Sequence, residues 1–449
     1  MKKVAFHTIG CRLNQSETAV LADRLKTIGY ERVEFGAPTD LLVLNTCSVT
    51  EGAEIDCRRA IRRTLRQSPQ AFVAVTGCYA QTGLQALQTI PGVDLVLGNR
   101  FKMNLPDYVR PEVITEKFPL PKILHTRTID REDFLQEGVG DYATTRANLK
   151  IQDGCNFMCS FCLIPFARGR ERSRQLDDAV REAEQLVDRG HKELVLTGVN
   201  IGQFASGGLG IIDLIQRLEL IPELARIRIS SIEPTTIPEA LLDYMASSSK
   251  LCRFLHVPLQ SGDDEILHGM NRRYTVKEYA DWVCHAARKI PDVCIGTDLM
   301  VGFPGESEQQ FDNTRSVVAD LPLAYFHVFS YSTRPGTAAT RMDNHVPAKT
   351  IKARSKHLSE LSRGKRADFY RQFVDRRVSV LFESSESAGW WSGLTDNYIR
   401  VRVPSTTVSS NEIHTVQITG AMGEVALGHV IADEDQPVHH RDIRNLVVL

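Results

Sequence analysis

The chain lacks any stretch approaching the ~20 apolar residues of a membrane span. Its opening, Met1-Lys2-Lys3-Val4-Ala5-Phe6-His7-Thr8, holds too short an apolar run for a signal peptide. The expected setting is therefore cytoplasmic, with no membrane partner. An excess of either charge is also missing, since 54 Lys and Arg face 55 Asp and Glu. No global field favours nucleic acid or membrane, so an anionic partner has to be met by local patches. The 449 residues correspond to about two to four domains at ~150 residues each. Ten cysteines in a reducing compartment argue for metal or redox chemistry rather than disulfides.

Cys155, Cys159 and Cys162 stand in the run Asp153-Gly154-Cys155-Asn156-Phe157-Met158-Cys159-Ser160-Phe161-Cys162. The Cys-x3-Cys-x2-Cys spacing gathers three thiolates on one tight loop. The fourth Cys or His that zinc would want is absent from the next dozen residues. Three thiolates suit a cubane iron–sulfur cluster with one open iron, which can hold and reductively cleave a bound cofactor. Phe157 and Phe161 lie between the cysteines, where an aromatic can shield a cluster or stack on adenine. The alternative is a trio of buried thiols acting as small apolar residues.

Three more cysteines end three similar runs. Lys3 to Thr8 leads to Gly10-Cys11, Leu41 to Thr46 leads to Cys47, and Phe72 to Thr76 leads to Gly77-Cys78. Each lead-in is short, apolar and β-rich, and helix-like text follows it, as in a parallel α/β sheet. The C-terminal ends of such strands share one edge, where ligand sites collect. Cys11, Cys47 and Cys78 are therefore expected to converge as a second metal site, the alternative being three unrelated core cysteines. Cys57 lies inside the helical stretch Ala53 to Leu65 and reads as packing, as do Cys252, Cys284 and Cys294. That helix also carries Arg58, Arg59, Arg62, Arg63 and Arg66, a face suited to nucleic-acid phosphate or simply to solvent.

From about residue 103 to 145 the text turns Pro-containing and charged, as in a linker. The βα alternation resumes with strand candidates Ala147 to Gln152, Glu193 to Thr197, Arg226 to Ser230, Phe254 to Pro258, Cys294 to Met300 and Tyr325 to Ser330. Six units fit an incomplete TIM-like barrel with its active residues just after the strands. Beyond Tyr370, the runs Arg377 to Phe382, Tyr398 to Val403, Thr415 to Thr419 and Gly423 to Ile431 predict a small antiparallel β-barrel of the kind that commonly binds RNA.

Over essentially its full length the chain resembles the radical S-adenosylmethionine (SAM) methylthiotransferase family. The motifs that carry the resemblance are Gly10-Cys11-Arg12-Leu13-Asn14, Asn45-Thr46-Cys47, Thr76-Gly77-Cys78, the Cys155/Cys159/Cys162 loop with Ile164-Pro165-Phe166-Ala167-Arg168-Gly169, and His256-Val257-Pro258-Leu259-Gln260-Ser261-Gly262. The resemblance implies an α/β chain with a methylthiotransferase domain over 1–118, a linker over 119–145, a partial (β/α)6 radical SAM barrel over 146–371, a TRAM barrel over 372–436 and a tail over 437–449. It implies two 4Fe-4S clusters, one on Cys155, Cys159 and Cys162 that cleaves SAM and an auxiliary one on Cys11, Cys47 and Cys78.

Other residues at strand ends are candidates for cofactor contact. Phe161 flanks the cluster loop, and Gly198 and Asn200 belong to the turn after the second barrel strand. Glu233 follows the third, where a carboxylate can meet the ribose or the sulfonium. Gln260 and Asp298 are plausible adenosine or substrate walls. Arg168 opens a run of four arginines to Arg174 that suits the SAM carboxylate or RNA phosphate, while His256, inside its strand, reads as a satisfied core histidine. Gly-Cys-Arg-Leu-Asn and Met270-Asn271-Arg272-Arg273-Tyr274-Thr275 look most like the threonylcarbamoyladenosine branch of the family. The implied partners are tRNA, as an anticodon stem-loop carrying that nucleoside, a reductase or flavodoxin-type electron donor, and a sulfur donor.

Overall fold

A computed structural model describes residues 1–48, 51–114, 116–129, 140, 144–386, 389–404 and 408–431. The tail 437–449, the last residues of the predicted TRAM domain and half of the predicted linker lie outside these. Two units are distinguished, residues 1–362 and 363–449.

The first sheet has six strands in the order β2 (Tyr30–Val33), β1 (Lys2–Thr8), β3 (Leu41–Thr46), β4 (Phe72–Gly77), β5 (Leu95–Leu97) and β6 (Lys122–Leu124). All of its pairings are parallel. Every residue of β3 and β4 is buried, which is why these runs are uniformly apolar. Alternate side chains feed two cores: Leu41, Val43, Phe72 and Ala74 pack with Val20, Leu21 and Leu25 of α1 (Arg12–Thr27) on one face. Leu42, Leu44, Val73 and Val75 pack with Cys57 and Ile61 of α2 (Glu51–Gln67) on the other. Burying both faces holds a parallel sheet together. Cys57 is thus the packing residue its position implied. β6 comes from within the segment read as a linker, so part of that segment completes this sheet.

Six further parallel strands follow. β7 (Arg146–Lys150), β10 (Glu193–Thr197) and β11 (Arg226–Ile229) pair in the order β11-β10-β7, and β12 (Phe254–His256), β13 (Cys294–Val301) and β14 (Tyr325–Ser330) pair in chain order. The Ile232 N–H donates to the His256 carbonyl at 3.0 Å and bridges the two sheets. A single apolar core, including Leu149, Leu196, Ile229, Leu255 and Leu299, runs through both. Capping boxes at Thr275 with Glu278 and at Ser307 with Gln310 start two of the outer helices, Val276–Lys289 and Glu308–Asp320. A short ribbon, β8 (Gln152–Asp153) with β9 (Arg172–Ser173), closes the base of the cysteine loop.

The second unit holds a closed barrel in the order β15 (Arg377–Glu386), β16 (Trp390–Thr395), β17 (Arg400–Pro404), β19 (Val425–Val430) and β18 (Ile413–Met422). Its interior is built from Leu381, Phe382, Leu394, Val401, Val416 and Ile418. β16 was not among the predicted strands, because its Trp-Trp-Ser-Gly-Leu-Thr text does not alternate cleanly. The β17–β19 pair runs parallel and closes the barrel, while the other pairs are antiparallel. Among the described residues no helix is long and apolar enough to cross a membrane.

Candidate active site

The sheet register brings the first cysteine set together. Thr8 pairs with Asn45, and Thr46 with Gly77, so β1, β3 and β4 end side by side. Cys11 is the N-cap of α1, and Cys78 opens α3 (Cys78–Thr82). Gly77 has φ +97°, and a Cβ there would lie 2.4 Å from the Thr46 carbonyl oxygen. Only glycine permits that turn and that approach. Gly10 is pressed so closely on Cys47 that an added Cβ would fall 2.9 Å from its Sγ. Asn14 ties the edge together: its Nδ2 donates to the carbonyls of Ile9 at 2.8 Å and Thr46 at 3.0 Å, and Asn45 Nδ2 donates to the Asn14 carbonyl at 2.8 Å. Cys47 and Cys78 are buried, and Cys11 is exposed.

The second set lies on the loop after β8. Gly154, with φ +70°, turns the chain into Cys155 where a Cβ would strike the Arg170 carbonyl at 2.1 Å. Each thiol of this loop accepts an N–H: Cys155 from Phe157 N at 3.4 Å, Cys162 from Ile164 N at 3.4 Å and Cys159 from Arg272 Nη1 at 3.3 Å. Burial pushes the Cys155 thiol up to about 11 and Cys162 up to about 12. Burial also raises Cys159, with Arg272 opposing. Buried thiols of this kind become good ligands when a metal supplies the positive charge. N–H donors aimed at sulfur are the hydrogen bonds that tune iron–sulfur clusters. None of the ten cysteines is in a disulfide. Among the described residues no three Cys, His, Asp or Glu side chains close on a single-ion site. Three thiolates are the donor number that a cubane with one open iron takes, and in that chemistry each set fits one.

A cavity of about 480 Å³ is lined by Cys162 and Phe161 of the cysteine loop and by Ser48, the residue after Cys47. Gln260, Asp298 and Arg334 also line it. Gln260 holds a left-handed φ of 73°, fixed by a backbone bond to the Asp298 carbonyl at 2.8 Å and one from Met300 N at 2.8 Å. Such backbone strain at a residue lining a cavity accompanies ligand sites.

Phe161, Gln260 and Asp298 thus stand at the cavity. Gly198 and Asn200 stand behind it: Gln152 Oε1 accepts the N–H groups of Val199 at 2.8 Å and Asn200 at 2.9 Å, and a Cβ on Gly198 would lie 2.9 Å from the same oxygen. Asn200 is buried, its Oδ1 taken by Thr236. Glu233, expected at the ribose or sulfonium, grips the Arg272 guanidinium with both oxygens and so aims Arg272 at Cys159. Arg168, expected at the SAM carboxylate or RNA, is buried, its two terminal nitrogens donating to Asn14 Oδ1 at 2.6 Å, Glu17 Oε1 at 2.9 Å and Asp153 Oδ1 at 3.0 Å. Arg172 and Arg174 are buried as well, bonded to Asp153 and to Asp178 and Glu182. His256 is buried between Ser231 Oγ at 2.9 Å and Asp298 Oδ1 at 3.2 Å. On α2, Arg59, Arg62, Arg63 and Arg66 are exposed.

Asn14, Glu17, Gln152 and Arg272 were missed from sequence. Asn14 and Glu17, three apart at the start of α1 and almost wholly buried, carried the only local hint: polar residues on a helix face that packs inward. Although burial alone would raise it, Arg168, Lys102 and Lys150 hold the Glu17 carboxyl well below its usual range.

An open parallel barrel with a three-cysteine loop at the C-terminal edge of its first strand defines the radical SAM class of fold. Residues 149–318 match the radical SAM superfamily, and residues 3–98 match a family described as uncharacterized protein family UPF0004. The chain is 36% identical to the threonylcarbamoyladenosine tRNA methylthiotransferase MtaB of Bacillus subtilis (strain 168), covering 94% of each chain. It is 37% identical to the protein of the same name from Aquifex aeolicus (strain VF5), over 89% of this chain and 96% of that one. It is 33% identical to the tRNA-2-methylthio-N(6)-dimethylallyladenosine synthase of Clostridium novyi (strain NT), over 85% and 86%. A solved radical SAM methyltransferase, TsrM of Kitasatospora setae, shares the fold at TM-score 0.57 and 16% identity over 76% of this chain and 77% of that one. The chain belongs to the methylthiotransferase family of radical SAM enzymes. Enzymes of this family use SAM, a 4Fe-4S cluster and a further iron–sulfur cluster.

Proposed function

We propose that this chain methylthiolates C2 of N6-threonylcarbamoyladenosine at position 37 of tRNA, beside the anticodon, in the cytoplasm. The observation that carries the reading is the cavity bordered both by Cys162 and by Ser48 next to Cys47. A base seated there faces both cysteine sets. In this reading Cys155, Cys159 and Cys162 hold the SAM-cleaving cluster, Cys11, Cys47 and Cys78 hold the auxiliary one, and residues 1–118, 146–371 and 372–436 form the three domains. The bound clusters and SAM supply radical and sulfur chemistry that no side-chain acid or base can perform. The residues of the chain do the rest. Phe161 and Gln260 wall the cofactor and base, Gln152 shapes the Gly198–Asn200 turn beside the cysteine loop, and Arg272 holds Cys159.

Arg334 favours the threonylcarbamoyl substrate over the dimethylallyl one. It is buried at the cavity wall, where a guanidinium suits the threonyl carboxylate and has nothing to meet on a prenyl chain. The exposed arginines of α2 suit the phosphates of the anticodon stem. An electron donor of the reductase or flavodoxin type and a sulfur donor complete the cycle.

Expression in a strain lacking the modification, followed by nucleoside mass spectrometry, tests the reading. The methylthio product should appear, and its absence from cells whose enzyme retains both clusters would overturn the assignment. Arg334→Leu should lower turnover on threonylcarbamoyladenosine selectively, and equal activity on it would return the substrate to the dimethylallyl class.

A further inference from the structure

A group of buried charges joins the two cysteine sets and does not balance. Among the described residues three cations, Lys102, Arg168 and Arg172, have only Glu17 and Asp153 as carboxylate partners, Lys150 reaches both carboxylates as well, and none of the six side chains is more than 6% exposed. Each carboxylate lies within 3.1 Å of three of these cations, so the charge of both is already counted. Nε of Arg168 and Nε of Arg172 are buried with no hydrogen-bond acceptor. Burying unmatched cations is costly unless negative charge lies nearby.

The candidate for that negative charge is close at hand. Arg168 bonds Asn14, which cross-links the strand ends carrying Cys11 and Cys47. Its neighbour Ala167 takes an N–H from Asn99, whose Nδ2 is also 3.9 Å from Cys78 Sγ. Arg168 interacts electrostatically with both Cys11 and Cys78. The other set is different: its near cation, Arg272, is paired with Glu233, and Glu233 and Glu171 add negative charge around Cys155.

We propose that the buried cation excess centred on Arg168 is the counter-charge of the cluster held by Cys11, Cys47 and Cys78, and that it sets the reduction potential of that cluster above that of the cluster on the Cys155 loop. Arg168 is then a positioning residue with an electrostatic role. The inference rests on reading Cys11, Cys47 and Cys78 as cluster ligands. Each cluster takes up one electron, from dithionite, with no bond made or broken. Positive charge beside it favours the electron-rich state, as hydrogen bonds to sulfur do. The asymmetry leaves the SAM-side cluster the stronger reductant, as a cluster that must cleave a sulfonium requires.

The test is a dithionite titration of the full chain, reconstituted anaerobically and followed by electron paramagnetic resonance. Chains carrying Cys155→Ala, Cys159→Ala and Cys162→Ala assign the auxiliary signal. In the parent that signal should be reduced first. Arg168→Met should move its midpoint to more negative values and Glu17→Gln, which removes a carboxylate, to more positive ones, while Arg168→Lys leaves it near the parent. The SAM-side midpoint should move less in every case. Opposite shifts are a sign that a loosened structure alone would not produce, and Glu17→Gln keeps the test alive if Arg168→Met fails to fold. Unchanged midpoints, or shifts of the same sign in both, in chains holding about eight irons would overturn the proposal. About four irons in the parent would overturn the auxiliary-site reading itself, and this inference with it.

Discussion

Cys155, Cys159 and Cys162 sit within one loop pinned by a two-residue ribbon, whereas Cys11, Cys47 and Cys78 come from three separate strand ends brought together by sheet register. The first set is a local construction. Each of its thiols receives a hydrogen bond from a nearby N–H, two of them from the loop's own backbone. The second is a tertiary construction, held by Asn14 and by a glycine that lets β4 run against the Thr46 backbone. A loop of this kind can be moved between folds as a unit, but the second set exists only while the sheet does. Their electrostatic settings differ too, balanced around Arg272 and unbalanced around Arg168.

The comparison breaks most sharply at the cysteines. Cys155→Ala should abolish SAM cleavage to 5′-deoxyadenosine, whereas Cys11→Ala should leave cleavage and remove methylthiolation, each variant retaining about four of about eight irons. Product chromatography with iron analysis reads both, and methylthiolation surviving in the Cys11→Ala chain would show that the strand-end set is not a second cluster site.

A smaller effect separates local from tertiary construction. Arg272→Gln removes the donor to Cys159 and leaves Glu233 without its cation, so cluster retention or SAM cleavage should fall about 10–100-fold. Iron release to a chelator measures this, and the strand-end cluster should be retained as in the parent.

Gly77→Ala tests the other set. The strain of a left-handed alanine should cost about 1–3 kcal/mol, seen as a lower denaturant midpoint, and iron should be lost first from the strand-end site. Equal loss from both sites would mean that the two are not built independently. The mildest change is on α2. Replacing Arg59, Arg62 and Arg66 with Gln should weaken tRNA binding and lower its salt slope by roughly one for each phosphate no longer neutralised, with SAM cleavage unchanged. Fluorescence anisotropy across salt concentrations gives the slope.

Much of this was legible in the residues alone. Apolar runs at Leu41–Thr46 and Phe72–Gly77 read as buried parallel strands because both of their faces are covered, and the first five barrel strands followed the same rule, while β14 is buried only at its start. β16 escaped because paired tryptophans and a glycine blur the two-residue period. β6 escaped because a three-residue edge strand, partly exposed, has too little text to show a pattern. Arg168 was misplaced for another reason: a cluster of arginines looks the same whether it faces phosphate or a buried carboxylate, and its partners Asn14 and Glu17 lie about 150 residues earlier. Glu233 with Arg272 is the same case at shorter range.

The sequence by itself determined the class of chemistry and the elements that carry it. Cysteine spacing and strand period are short-range properties that survive without knowledge of the fold. Only the tertiary structure decided which charges meet, that Ser48 and Cys162 share one cavity, and that Lys102, Arg168 and Arg172 gather on two carboxylates between the cysteine sets. An ion pair acts over a few ångströms in space and is indifferent to distance along the chain, so its partners could be named only once the sheet and the barrel had been placed side by side.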